Sequence, residues 1–175
     1  MSRFAVDPLL GIARAVLYII MAVIGVATIV VAITVPGTAI FNGPVTAQLT
    51  AHGAPAWAVW PLLSLLSVVA GILSMAFMFF RHLKNIVDTV GEGDPFVPVN
   101  ADRLAAMAWL AVAINVLGLV AAALGGWIAK LVHDVHGSVK IGTDFGGIVL
   151  ILTLFILARV FRKGAEMREE LEGTV

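Results

Sequence analysis

The sequence predicts an all-α fold: a polytopic membrane four-helix bundle whose second and fourth helices extend into the cytoplasm. Three observations predict it. Hydrophobic residues make up 61% of the chain and charged residues only 13%, about half the charge with which a soluble domain covers its surface. The mean hydropathy is +1.04. The charges are also clumped, with no Asp, Glu, Lys or Arg from Ala15 to Phe80, from Leu104 to Ala129 or from Phe145 to Ala158. A helix of ~20 mostly apolar residues crosses a bilayer. The 175 residues therefore read as one integral membrane domain, 1–175, with spans at about 12–35, 57–80, 104–129 and 143–162.

Asp7-Pro8 is a helix start, Asp as N-cap and Pro at the first helical position. The apolar run that follows is longer than the ~7–15 residues of a signal-peptide core, so it reads as the first membrane helix. Pro36-Gly37 is expected to stop it. The stretch from Pro36 to Ala56, with Pro36, Gly37, Asn42, Gly43, Pro44, His52, Gly53 and Pro55, reads as a loop. Helix two starts near Pro55 or Pro61 and outlasts the membrane. Leu83, Ile86, Val87 and Val90 follow helical spacing while Arg81, Lys84 and Asp88 take other faces, giving an amphipathic extension that ends at Gly91. The segment from Gly91 to Pro98 is a turn-forming connector. Asn100 is expected to cap helix three, which runs to about Lys130. Helix four covers roughly Thr143 to Arg162 and continues as a charged helix to Leu171.

Orientation follows from the basic residues. Of the 11 Lys and Arg, only Lys130 and Lys140 fall on the side of the 36–56 and 133–144 segments. The positive-inside rule then places both termini and the 81–103 connector in the cytoplasm. Trp57, Trp60 and Trp127 form the outer aromatic belt.

Chemistry-bearing groups are scarce. The absence of cysteine excludes disulfides, thiolate metal sites and Cys nucleophiles. Ionisable groups at membrane depth mark ion paths, and the spans offer almost none; Asn115, Ser64, Ser67 and Ser74 are the most polar buried candidates and read as interhelical hydrogen-bonding residues. His133 and His136 flank Asp134 but need a further ligand, with His52 the one candidate on the same side, so no metal and no cofactor is expected. Gly91-Glu92-Gly93-Asp94 lacks the Lys-Ser/Thr of a phosphate loop. No catalytic residues are assigned. Gly118, Ala122 and Gly126 form a row that lets helices approach closely, serving either the internal bundle or self-association as a homo-oligomer.

The polar information sits on the cytoplasmic face. Gly93, Asp94, Pro95 and Phe96, followed by Asn100, Arg103 and Leu104, resemble one signature of a bacterial family of small four-span membrane proteins of unknown function. Phe161, Arg162, Gly164, Glu166, Met167, Glu169 and Glu170, closing on Glu172-Gly173-Thr174-Val175, resemble its C-terminal signature. In that family the Asp-Pro-Phe is often followed by Glu-Asn before the Arg, whereas here Val97-Pro98-Val99-Asn100 intervenes. Family members are commonly encoded beside a small helix-turn-helix regulator of the Xre/Cro type. The resemblance implies a membrane partner of a transcription factor, with no direct nucleic-acid binding of its own. On this reading the partner-binding residues are Gly93, Asp94, Pro95, Phe96, Asn100, Arg103, Phe161, Arg162, Gly164 and Glu170, with Phe96 as an exposed anchor. A non-enzymatic adaptor or sensor is thus set against a small transporter or pore component, or an accessory subunit of a larger membrane complex. The paucity of intramembrane charge favours the adaptor, because pore selectivity is written in polar lining groups.

Overall fold

The computed structural model describes residues 8–131 and 145–172. Within them the chain is all-α: α1 (Pro8–Ile40), α2 (Asn42–Ala51), a 3-10 turn (Ala56–Ala58), α3 (Val59–Gly91), α4 (Pro98–Leu131) and α5 (Phe145–Glu172). Four stretches, Pro8–Ile40, Ala56–Gly91, Pro98–Leu131 and Phe145–Leu171, are long and apolar enough to cross a membrane. The protein is a multi-pass membrane protein.

Three boundaries depart from expectation. Pro36 lies inside α1, which runs on to Ile40. Proline removes one backbone donor, but long apolar helices tolerate it where hydroxyl groups and local adjustment share the freed carbonyls. The carbonyl that Pro36 frees is that of Ala32, four residues back, and the threonine hydroxyls nearby serve other carbonyls: Thr38 Oγ1 donates to Thr34 and Val35, and Thr34 Oγ1 to Val30. The expected 36–56 loop contains α2, which ends in a Schellman turn: Gly53 adopts φ 78°, and Ala54 N–H reaches back to Leu49 O at 2.9 Å. His52 engages Gln48 O through Nδ1 at 2.8 Å at this turn. Asn100 does not cap its helix. The helix starts two residues earlier, at Pro98, whose fixed φ suits the first helical position. Thr143, Asp7, His133 and His136 lie outside the described residues.

The chain packs as two compact units. One takes in residues 25–75 and the described part of 114–143. There Ala54, Ala58, Val59 and Leu63 are buried, and the Trp57 and Trp127 rings meet at 5.9 Å between centroids. Ser64, Ser67 and Ser74 donate to carbonyls four residues back in their own helix (Trp60, Leu63 and Ala70), not across to another helix as expected. Among the described residues the Gly118, Ala122 and Gly126 row is not a close-packed seam either: β-carbons built at Gly118 and Gly126 would meet none of them within 4 Å.

The other unit takes in residues 8–24, 76–113 and 145–172 of the described chain. Its core is Ile86 of α3, Leu104, Met107, Ala108 and Ala111 of α4, and Leu154 and Ala158 of α5, with Phe79, Leu83, Phe155 and Phe161 packed around them. Buried positions on α4 recur as 101, 104, 108 and 111, one helical face. Alanines at 108, 111 and 158 supply the small-residue contact here. Every connector residue belongs to this unit.

Candidate functional site

α3 ends in a second Schellman turn. Gly93 takes φ +90°, and Asp94 N–H and Gly93 N–H return to the carbonyls of Thr89 and Val90 at 3.2 and 3.1 Å. An L-residue in that left-handed conformation costs roughly 1–2 kcal/mol, which is why glycine stands there. The chain leaves the turn as Asp94-Pro95-Phe96 and re-enters helix at Pro98, with Asn100 N–H donating to Val97 O at 2.8 Å.

Asn100 fixes this connector from within. Its side chain is fully buried, 0% exposed, and makes three hydrogen bonds. Nδ2 donates to Thr89 Oγ1 at 2.8 Å and to Pro95 O at 3.0 Å, and Oδ1 accepts from Arg103 Nη1 at 3.0 Å. The amide orientation is forced, since Arg103 can only donate and the Pro95 carbonyl can only accept. Arg103 Nη1 also donates to Asn85 O at 3.0 Å. Asn100 was expected at a partner surface and instead lies beneath it. Phe96, expected as an exposed anchor, is likewise packed, though not hidden. It is 41% exposed, its ring 5.3 Å from that of Phe161 and laid over Gly164, where a β-carbon would come within 2.7 Å of it.

Ion pairs continue the same joint. Asp94 pairs with Arg168 of α5, across 74 positions of sequence. Arg162 Nη2 donates to Asp102 Oδ1 of α4 at 3.0 Å. Both pairs are solvent-exposed and contribute about 0–1 kcal/mol each, so they set register more than stability. The structure thus brings together Gly93, Asp94, Pro95, Phe96, Phe161 and Gly164 in one joint, with Arg162 beside it. Glu170 stands exposed on the last turns of α5.

Sequence reasoning missed the contribution of α1. Arg14 faces Asp88 of α3: Nε lies 3.0 Å from Oδ1 without the alignment of a hydrogen bond, and Nη2 donates to the Asp88 carbonyl at 3.4 Å. Lys84 Nζ donates to the other oxygen, Oδ2, at 2.7 Å, and its ammonium stands 5.5 Å over the Tyr18 ring. One carboxylate therefore serves two cations. The available signal was that Arg14 is the last charge before the long uncharged run, and that Lys84 and Asp88 have i, i+4 spacing. Asp102 and Arg168, too, carried no signal beyond their sign. Among the described residues, no three His, Asp or Glu stand close enough to hold a metal ion.

The side chains gathered at this end are amide, guanidinium, carboxylate and aromatic groups, joined in pairs that tie α1 to α3, α3 to α4, and α4 and the connector to α5. A family model described as a protein of unknown function, DUF2975, matches residues 45–175. The chain belongs to the DUF2975 family. No curated protein and no solved structure matches it. The DUF2975 match holds the whole connector, Asn100, Arg103 and the α5 joint. It leaves out α1, and with it the Arg14 half of the Arg14–Asp88 pair.

Proposed function

We propose that this DUF2975 protein is a non-enzymatic adaptor of the bacterial inner membrane, with both termini in the cytoplasm, that docks a small helix-turn-helix regulator on the connector and α5. The observation that carries the reading is the joining of two distant segments into one surface. Asp94 and Phe96 of the connector are held on Arg168, Phe161 and Gly164 of α5. Around the half-exposed Phe96 ring stand charged groups already committed in pairs, an aromatic centre with a polar rim of the kind that supplies binding hot spots. Met167 and Leu171, 51% and 71% exposed, extend the apolar area along α5.

Basic residues are concentrated at this end of the helices, which supports a cytoplasmic address, where a DNA-binding regulator is found. In this reading DNA contact belongs to the regulator, and the membrane protein changes how much of it is free. The test is co-purification in detergent with a short helix-turn-helix protein encoded beside this gene. The wild-type chain retains the regulator, and Met167→Glu, an exposed position outside the packed joint, loses it by about thirtyfold in affinity, the scale of an interface anchor worth about 2 kcal/mol. A wild-type chain that captures no such regulator refutes the adaptor reading.

A further inference from the structure

α5 changes character within two turns. Phe155, Ile156 and Ala158 close its charge-free stretch, and Arg159, Arg162 and Lys163 follow at i, i+3 and i+4, on one face of the helix. With Ala105 of α4 these residues line a groove of about 700 Å³. One end of the groove is apolar and the other basic, three cations against the single carboxylate of Glu166. Two of the cations are engaged: Arg162 with Asp102 at 3.0 Å and Lys163 with Glu166 at 3.3 Å. Arg159 has no acidic partner among the described residues. One uncompensated guanidinium therefore stands where the apolar helix gives way to charge.

We propose that this groove binds an anionic phospholipid, its phosphodiester on Arg159 between Arg162 and Lys163 and an acyl chain along Phe155 and Ile156. A phosphodiester brings one negative charge, which matches the single unpaired cation, and its paired oxygens fit the fork of a guanidinium. Basic pockets between membrane helices take lipid headgroups of this kind. Free phosphate would gain nothing from Phe155 and Ile156. The neighbouring groove at Tyr18, Phe77, Arg81 and Lys84, about 500 Å³, is the poorer candidate, because Lys84 is committed to Asp88. The lipid site does not rest on the adaptor reading.

Trp109 reports on the groove, since its ring meets that of Phe155 edge-on at 5.6 Å. The experiment uses the full chain with Trp57, Trp60 and Trp127 changed to Phe, in phosphatidylcholine vesicles doped with brominated phosphatidylglycerol or, at equal mole fraction, brominated phosphatidylcholine. Brominated phosphatidylglycerol should quench Trp109 with about a fivefold preference, the scale of one basic residue at a membrane surface. Arg159→Gln should abolish the preference, Arg159→Lys should keep part of it, and Arg168→Gln, outside the groove, should keep all of it. Equal quenching by the two lipids overturns the site, as does an equal loss in Arg168→Gln, which would reduce it to general surface charge. Displacement by millimolar inorganic phosphate would mark a phosphate site and overturn the lipid assignment. If the three tryptophan changes disturb the helical spectrum, the phosphatidylglycerol retained by wild-type and Arg159→Gln chains in detergent decides instead. Equal retention sinks the proposal.

Discussion

The ring of Phe96 lies against Gly164 of α5, so closely that a β-carbon there would stand 2.7 and 2.9 Å from its Cδ1 and Cε1 atoms. Real β-carbons do not approach that near, so the absence of a side chain at 164 and the presence of a ring at 96 are one feature. Alone, Gly164→Ala gains helix propensity, about 1 kcal/mol, but displaces the ring, an overpacking cost of about 1–3 kcal/mol. The substitution should therefore lower the thermal midpoint in detergent. In a Phe96→Ala background only the propensity gain remains, and Gly164→Ala should raise it. A reversal of sign between the two backgrounds checks the contact, and the same sign in both would show that the ring does not rest there.

The packing of Phe96 also changes what its removal means. As an exposed anchor it could be cut to Ala without cost to stability. As a ring paired with Phe161 it carries roughly 0.5–1.5 kcal/mol of aromatic contact beyond its buried area. A loss of partner binding in Phe96→Ala is thus ambiguous alone, and Met167 is the cleaner probe.

Asn100 should be the costliest polar position in the connector. Asn100→Ala leaves the Pro95 carbonyl without its donor and Arg103 without one acceptor, a penalty of about 1–3 kcal/mol for buried groups left unmade. Asn100→Asp keeps an acceptor for Arg103 but turns an oxygen toward the Pro95 carbonyl, and should not recover the loss. Denaturation midpoints of the two variants in detergent measure this. Wild-type stability in Asn100→Ala would mean that water replaces the side chain.

The fold was legible because bilayer solvation leaves a coarse mark: long uncharged runs give the spans whatever their neighbours. What escaped was set by three-dimensional neighbours. Pro36 reads as a stop, yet a proline costs the helix one backbone hydrogen bond, and in a long apolar helix that is tolerated, so α1 runs through it to Ile40. Gly118, Ala122 and Gly126 look like a seam, yet the seam formed at Ala108, Ala111 and Ala158, because a helix apolar on every side does not announce which face packs. The connector motif was visible as residue types, but not that Asn100 points inward while Asp94 reaches Arg168. Opposite charges in two distant segments suggest a pair without naming it.

Asp88 should prove asymmetric with its cations. Its carboxylate serves Arg14 and Lys84 together, so Asp88→Ala leaves two partly buried positive charges facing each other. Hydrogen bonds to charged groups are worth about 1.5–3 kcal/mol, and the loss should fall in that range. Lys84→Met removes one cation while Arg14 still holds Asp88, and should cost clearly less. Thermal melts of the two variants, at low and high salt, rank them. If Lys84→Met is the more damaging, Arg14 is not a working partner of Asp88.

The orientation prediction is tested apart from any partner. Reporter fusions after Gly53 and Ser138 should read outside, and fusions after Gly93 and Val175 inside, as the distribution of Lys and Arg requires. An inside signal after Gly53 would reverse the placement of the connector and remove it from any cytoplasmic regulator.

Arg162 separates a structural from a recognition role. Its pair with Asp102 is exposed on both sides, 59% and 73%, so Arg162→Ala should shift stability by less than about 1 kcal/mol. If the arginine matters only through that pair, the exchange Arg162→Asp with Asp102→Arg restores whatever the single change removed. If it touches the regulator directly, the exchange preserves the melting temperature but leaves a carboxylate where the partner meets a guanidinium, and capture should stay weak. We expect the second outcome. Measuring regulator affinity for wild-type, single and exchanged chains gives the coupling between the two positions. Full recovery on exchange would make the pair a strut of the α4–α5 joint and move recognition to Met167 and the open face of Phe96.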